Sequence, residues 1–215
     1  MSQPTHSKQI TAAARKHLRP IGMQQKGQSR LWFKDHGWWV AVVEFQPSNW
    51  SRGSYLNVAA MWLWNAKDYW SFDYGGRNGG FTAFQSEEQF AAAAEQVAEA
   101  ARDEVLALER LFDSPELTLQ RLSNDAGSGF WSAYHAFSLA LATRRLDAAT
   151  RHLSALKAYA PEQDWLAAAQ RRATQLLENA VAADDPRAIV TEEVLNARQL
   201  LKLARLEPST IWAVT

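Results

Sequence analysis

Seven of the ten tryptophans, Trp32, Trp38, Trp39, Trp50, Trp62, Trp64 and Trp70, fall in one short stretch whose apolar residues recur with a period of two. Such alternation sends successive side chains to opposite faces of an extended chain, so the stretch predicts strands. Leu31 and Phe33 alternate with Trp32 and Lys34 between Arg30 and Asp35. His36-Gly37 predicts a tight turn that leaves His36 solvated. From Trp38 to Gln46, one face carries Trp39, Ala41, Val43 and Phe45, and the other carries Trp38, Val40, Val42 and Glu44. Both faces are apolar until Glu44, which predicts a central strand covered on each side. Pro47 to Gly53 is a loop of turn formers. Tyr55 to Trp64 is a third strand, Asn65 to Asp68 a hairpin-length turn, and Trp70 to Tyr74 a fourth strand. Gly75, Gly76, Gly79 and Gly80 predict a flexible loop after it. Connections this short require antiparallel neighbours, because a parallel pair needs a long crossover.

Helices flank these strands. Ile10, Ala13, Ala14, His17 and Leu18 share one face of a helix from Ser7 to Arg19, which Pro20 stops. Ser86 is placed to cap a second helix, with Gln89 three residues on, and the stripe Phe90, Ala94, Val97, Ala101, Val105, Leu108 and Leu111 carries it to Phe112. Residues 1–112 are therefore expected to form an α+β domain: helix, four-stranded antiparallel meander, helix. Beyond Phe112 the composition turns to Ala, Leu, Arg and Gln, predicting an all-helical domain over residues 113–215. Its helices are expected from Pro115 to Leu122, Phe130 to Thr143, Leu146 to Tyr159, Glu162 to Ala182 and Arg187 to Leu206. A linker is expected over Ser123 to Gly129, and Asp184-Asp185-Pro186 separates the last two helices.

Composition narrows the function classes. The 23 basic and 23 acidic residues balance, which disfavours a nucleic-acid or anionic-membrane role for the whole chain. The opening is nonetheless basic, with Lys8, Arg15, Lys16, Arg19, Lys26, Arg30 and Lys34 preceding any acid; a solvated helix face is the ordinary meaning, an acidic partner the sharper one. There is no cysteine, so disulfides, thiolate catalysis and Cys-based zinc sites are excluded. The N-terminus lacks the apolar core of a signal peptide, and no apolar run approaches roughly 20 residues, so a cytoplasmic location is expected.

The segments Arg30-Leu-Trp-Phe-Lys-Asp-His-Gly-Trp-Trp39, Val43-Glu-Phe-Gln-Pro-Ser48 and Trp50-Ser-Arg-Gly-Ser-Tyr-Leu-Asn-Val58 resemble the bacterial domain of unknown function 4304 family over residues 7–112. That resemblance implies the order of elements and brings no catalytic residues with it. The hairpin from Trp131 to Pro161 is similar to a degenerate tetratricopeptide repeat, with Ala149 and Leu153 at the small and large positions. Phe137 departs from it where a small residue belongs. One such unit falls short of the three or so a stable array needs, so an ordinary helical hairpin is expected.

Candidate chemistry is sparse. Gly75-Gly-Arg-Asn-Gly-Gly80 lacks the Lys-Ser/Thr of a phosphate loop. The histidines His6, His17, His36, His135 and His152 form no His-x-x-x-His pair, and no metal or cofactor is expected. The polar residues of the strand region are Arg30, Asp35, His36, Glu44, Gln46, Arg52, Tyr55, Asn57, Asp73 and Arg77. Glu44 ends a strand otherwise apolar on both faces, so it must pair with a cation, Arg30 or Arg52, or be driven towards neutrality. Trp50 in its loop and Trp38 at a strand start are the tryptophans expected at the surface. Exposed Trp with Arg marks binding surfaces.

The first expectation is thus a non-catalytic interaction protein whose aromatic sheet face and Pro47–Gly53 loop contact a protein or a small ligand. Its candidate binding residues are Arg30, Trp38, Glu44, Gln46, Trp50, Arg52, Tyr55, Asn57 and Arg77. The alternative is an enzyme centred on Glu44 with Arg30, Arg52 or His36. A third possibility is a scaffold that forms homo-oligomers through its helical half.

Overall fold

The computed structural model describes residues 5–125 and 129–213. These divide into two compact units: residues 1–61 with 70–110, and residues 62–69 with 111–215. The fold is α+β with an antiparallel sheet and a helical C-terminal half, and residues 62–69 cluster with the helices rather than with the strands. No helix among the described residues is long and apolar enough to cross a membrane.

In the first unit, helix α1 (Thr5–Leu18) is closed by a 3-10 turn at Arg19–Ile21 that contains Pro20. Gly22 follows with φ 85°, a left-handed conformation that glycine adopts without a Cβ penalty. The sheet has five strands in sequential order: β1 (Gln24–Gln25), β2 (Leu31–Asp35), β3 (Trp39–Gln46), β4 (Gly53–Trp62) and β5 (Tyr74–Ala83). The polar pair Gln24–Gln25 carries no apolar alternation, yet it pairs with Phe33 and Trp32 and adds a short edge. β3 is central, as its two apolar faces require, and β2 pairs with it through Trp32↔Val43 and Leu31↔Glu44.

Three expectations need correction. The fourth pleated segment is not Trp70–Tyr74, of which Trp70 to Asp73 lie in the connection, but Tyr74–Ala83, so the glycine-rich run is a strand rather than a flexible loop. It is an edge strand, where poor side-chain packing costs least. Gly75, at φ 101°, faces β4 so closely that a Cβ would stand 2.7 Å from the Val58 carbonyl oxygen and 3.1 Å from the Ala59 Cα. Gly75→Ala is therefore expected to destabilise the protein by about 1–3 kcal/mol; Gly80→Ala, where a Cβ meets open space, should change the urea midpoint little. Second, Trp38 is buried, 3% exposed, and packs beside Trp39 with ring centroids 6.1 Å apart. Third, His36 is covered rather than solvated: its ring stacks on Trp39 at 4.2 Å and 9°.

Helix α2 (Glu87–Leu111) begins at the predicted cap, where the Ser86 hydroxyl accepts from the Gln89 N–H at 3.2 Å. It buries Phe90, Ala94, Ala98, Ala101, Val105 and Leu108. Lys34, which shares the Trp32 face of β2, pairs with Glu109 at 2.6 Å, so α2 lies over that face. α1 is tied to α2 by Lys16 and His17, both 2.7 Å from Glu95.

The second unit holds α3 (Pro115–Asp125), α4 (Phe130–Ala142), α5 (Leu146–Lys157), α6 (Asp164–Ala182) and α7 (Pro186–Leu200). The middle of the linker expected over Ser123–Gly129, residues 126–128, lies outside the described residues, and α3 extends past Leu122. α7 ends at Leu200, six residues before the expected Leu206. α4 is buried nearly all round and packs against α3, α5, α6 and α7. Its alanines allow that close approach. Asp185 caps α7 by accepting from the Arg187 N–H at 3.1 Å and also receives both prongs of Arg144 at 2.8 Å. Trp62 stacks on Trp64 at 5.0 Å, and the Trp64 indole N–H donates to His135 Nδ1 at 3.2 Å.

Candidate functional site

Two groups of the candidate residues converge, both in the first unit. The first lies on the sheet face opposite α2. Asn57, 5% exposed, is its hub. The Asn57 amide donates at 3.1 Å to Glu44 Oε2 and at 3.1 Å to Gln46 Oε1. Its carbonyl oxygen accepts from Arg77 Nε at 3.4 Å, while Arg77 Nη2 reaches Gln46 Oε1 at 2.7 Å. The register Asn57↔Arg77 places these two side chains on one face of β4 and β5. The Arg77 guanidinium also lies 3.9 Å over the Tyr55 ring, and Tyr55 meets Phe81 at 4.9 Å. Each buried polar group is thereby supplied with a partner, as burial demands.

Glu44 thus faces Asn57 and not the expected arginines: among the described residues no cation lies within ion-pair distance of it. His36 is also elsewhere, 3.3 Å from Glu109. The four side chains of the enzyme alternative, Glu44, Arg30, Arg52 and His36, are not gathered at one point.

The second group surrounds a cleft of about 680 Å³ lined by Thr5 and His6 of α1, the loop Pro47–Gly53, Phe84 and Glu87. The loop is shaped by the Ser48 hydroxyl, which accepts from the N–H groups of Trp50 and Ser51 at 3.1 and 3.3 Å. That turn holds Trp50 94% exposed. Arg52 lines the cleft, and its carbonyl accepts from the Phe84 N–H at 2.9 Å. Arg30 donates to the Ser7 hydroxyl, next to His6. Burial lowers the pKa of His6, and the charges of Arg30 and Arg52 lower it further. Burial also lowers the pKa of Arg30.

No family model, curated protein or solved structure matches this chain.

Of the nine candidates, Glu44, Gln46, Tyr55, Asn57 and Arg77 meet on the sheet face; Trp50 and Arg52 meet at the cleft, with Arg30 beside it; Trp38 joins neither. His6, Phe84 and Glu87 were not among the candidates. Their signal in the sequence is weak, because each stands at a helix start or just before one and carries no motif. Only the folded chain brings residue 6 to residues 52 and 84.

Proposed function

We propose that this chain is a binding protein whose working surface is the loop Pro47–Gly53 with its cleft. It engages a protein or a small ligand and performs no chemistry on it. One observation carries this: Trp50 stands 94% exposed at the rim of a cleft that Arg52 also lines. A large aromatic held in water loses hydrophobic free energy unless something covers it, and Trp and Arg are the residues that dominate binding interfaces. The sheet-face cluster supports the loop from behind. Gln46 directly precedes it, and the Ser54 hydroxyl donates to the Gln46 carbonyl at 3.4 Å. Within this reading residues 7–112 are a cytoplasmic domain of the kind the sequence resembles, and the enzyme alternative is disfavoured because Glu44 lacks its intended partners.

The test is a pair of variants, Trp50→Ala and Arg52→Ala, in quantitative capture of partners from the source cells. Each is expected to reduce recovery of the same partner at least roughly tenfold, the scale of an interface hot spot. Both side chains are exposed, so thermal stability should hold to within about 0.5 kcal/mol. Recovery equal to wild type in both variants would refute the proposal.

A further inference from the structure

We infer that the cleft is a site for a small aryl oxyanion, a flat apolar body bearing a carboxylate or a phosphate. The inference deepens the proposed function and rests on the same loop being the binding surface. The cleft, about 680 Å³, is in the range of small-molecule sites. Its walls offer two chemistries. Trp50, Pro47 and Phe84 are apolar, and the His6 ring lies 5.7 Å from that of Phe84. Arg52 and the adjacent Arg30 are cationic.

Some arginines of the chain are neutralised by a neighbouring acid. Arg102 has Glu99 and Asp103, Arg144 has Asp185, and Arg151 has Asp147. Among the described residues, no carboxylate lies within ion-pair distance of Arg30 or Arg52. Arg52 stands in the cleft wall with its guanidinium free of any ion pair among the described residues, so an entering anion meets uncompensated positive charge there. A guanidinium holds a carboxylate or a phosphate through two parallel hydrogen bonds, a geometry an ammonium cannot offer. Glu87 is the acid among the lining residues, and an anion avoids its carboxylate. A ligand therefore seats with its oxyanion towards Arg52 and its ring against Trp50 and Phe84.

The experiment titrates the full chain with four probes, phenyl phosphate, benzoate, inorganic phosphate and benzyl alcohol, following the Trp50 indole N–H by NMR. That resonance is assigned with Trp50→Phe. Saturable shifts are expected with an aryl oxyanion, with benzyl alcohol and inorganic phosphate each binding at least about tenfold more weakly. Arg52→Gln should weaken the aryl oxyanion by roughly tenfold or more, the usual scale of a lost charge-assisted hydrogen bond. Response to phenyl phosphate alone identifies a phosphate ligand, and response to benzoate alone a carboxylate; either supports the site. Equal binding of benzyl alcohol, unchanged affinity in Arg52→Gln, or no shift with any probe overturns it. The two readings separate cleanly: if the variants lose partner capture while every oxyanion is silent, the loop is a binding surface and only this inference falls.

Discussion

Trp62→Ala is expected to lower the stability of the protein by about 3–5 kcal/mol, the range for deleting a fully buried large aromatic. Trp62 is 0% exposed. It stacks on Trp64 at 5.0 Å and 9°, and meets Phe112 edge-on at 4.9 Å. Each such pair adds about 0.5–1.5 kcal/mol beyond buried area, and neither Trp64 nor Phe112 can collapse into an indole-sized void without leaving its other contacts. A domain holds only about 5–15 kcal/mol in total, so the loss removes a large share. Urea unfolding followed by circular dichroism measures it. Trp70→Ala serves as the contrast: Trp70 is half-exposed, lying 5.0 Å from Phe33 and under the Lys26 ammonium, so its removal should cost clearly less. A Trp62→Ala midpoint as close to wild type as that of Trp70→Ala would contradict the packing described here.

The same tryptophans show how far the sequence was legible. Period-two alternation identified β2, β3 and β4 because each has a buried face, and a buried face leaves an apolar mark in the chain. β5 left no such mark. It is an edge strand of glycines whose place is set by backbone pairing and by the close approach of Gly75 to Val58, neither of which depends on side-chain hydrophobicity. β1 was missed for the same reason: two glutamines pair by their backbone alone. The helices were legible in kind and order, since stripes, caps and prolines are local signals, although α7 stops short of its expected end. Alternation also extended β4 too far. Leu63 and Trp64 continue the pattern but leave the sheet, and they cluster with the helical residues.

At the site, Glu44 was expected to pair with a cation, and the structure gives it Asn57 instead. Chemistry suggested a cation; the register supplied Asn57 from the neighbouring strand, which satisfies the oxygen by hydrogen bonding. Trp50 and Arg52 were legible because a tryptophan in a Pro/Ser/Asn/Gly loop has no core to enter. Trp38 was not, because a strand-start tryptophan looks the same whether solvent or another ring lies beyond it; here it is buried beside Trp39.

Acid sensitivity offers the second large effect, and it turns on His36. Its pKa is lowered from the ordinary 6.5 to about 4, chiefly because burial penalises the imidazolium. Lys34 lowers it further, while Glu109 and Asp35 pull the other way without prevailing. The ring is stacked on Trp39 and its side chain is only 9% exposed, so water does little to screen the penalty. Above pH 6.5 the residue is neutral in both folded and unfolded chains and contributes no pH dependence. As the pH falls below 6.5 the unfolded chain takes a proton that the folded chain refuses, so stability drops by about 1.4 kcal/mol per pH unit. The drop ends near pH 4, where the folded protein is protonated too, and it totals on the order of 3 kcal/mol. His36→Gln removes the titrating group. The difference in unfolding free energy between wild type and this variant, measured at half-unit steps from pH 7 to pH 4, should move steadily against wild type below pH 6.5. Subtracting one protein from the other removes the carboxylates common to both. A difference that stays constant across that window would mean that His36 is protonated as readily inside the fold as outside it, and the stacked, desolvated ring beside Trp39 would be incorrect.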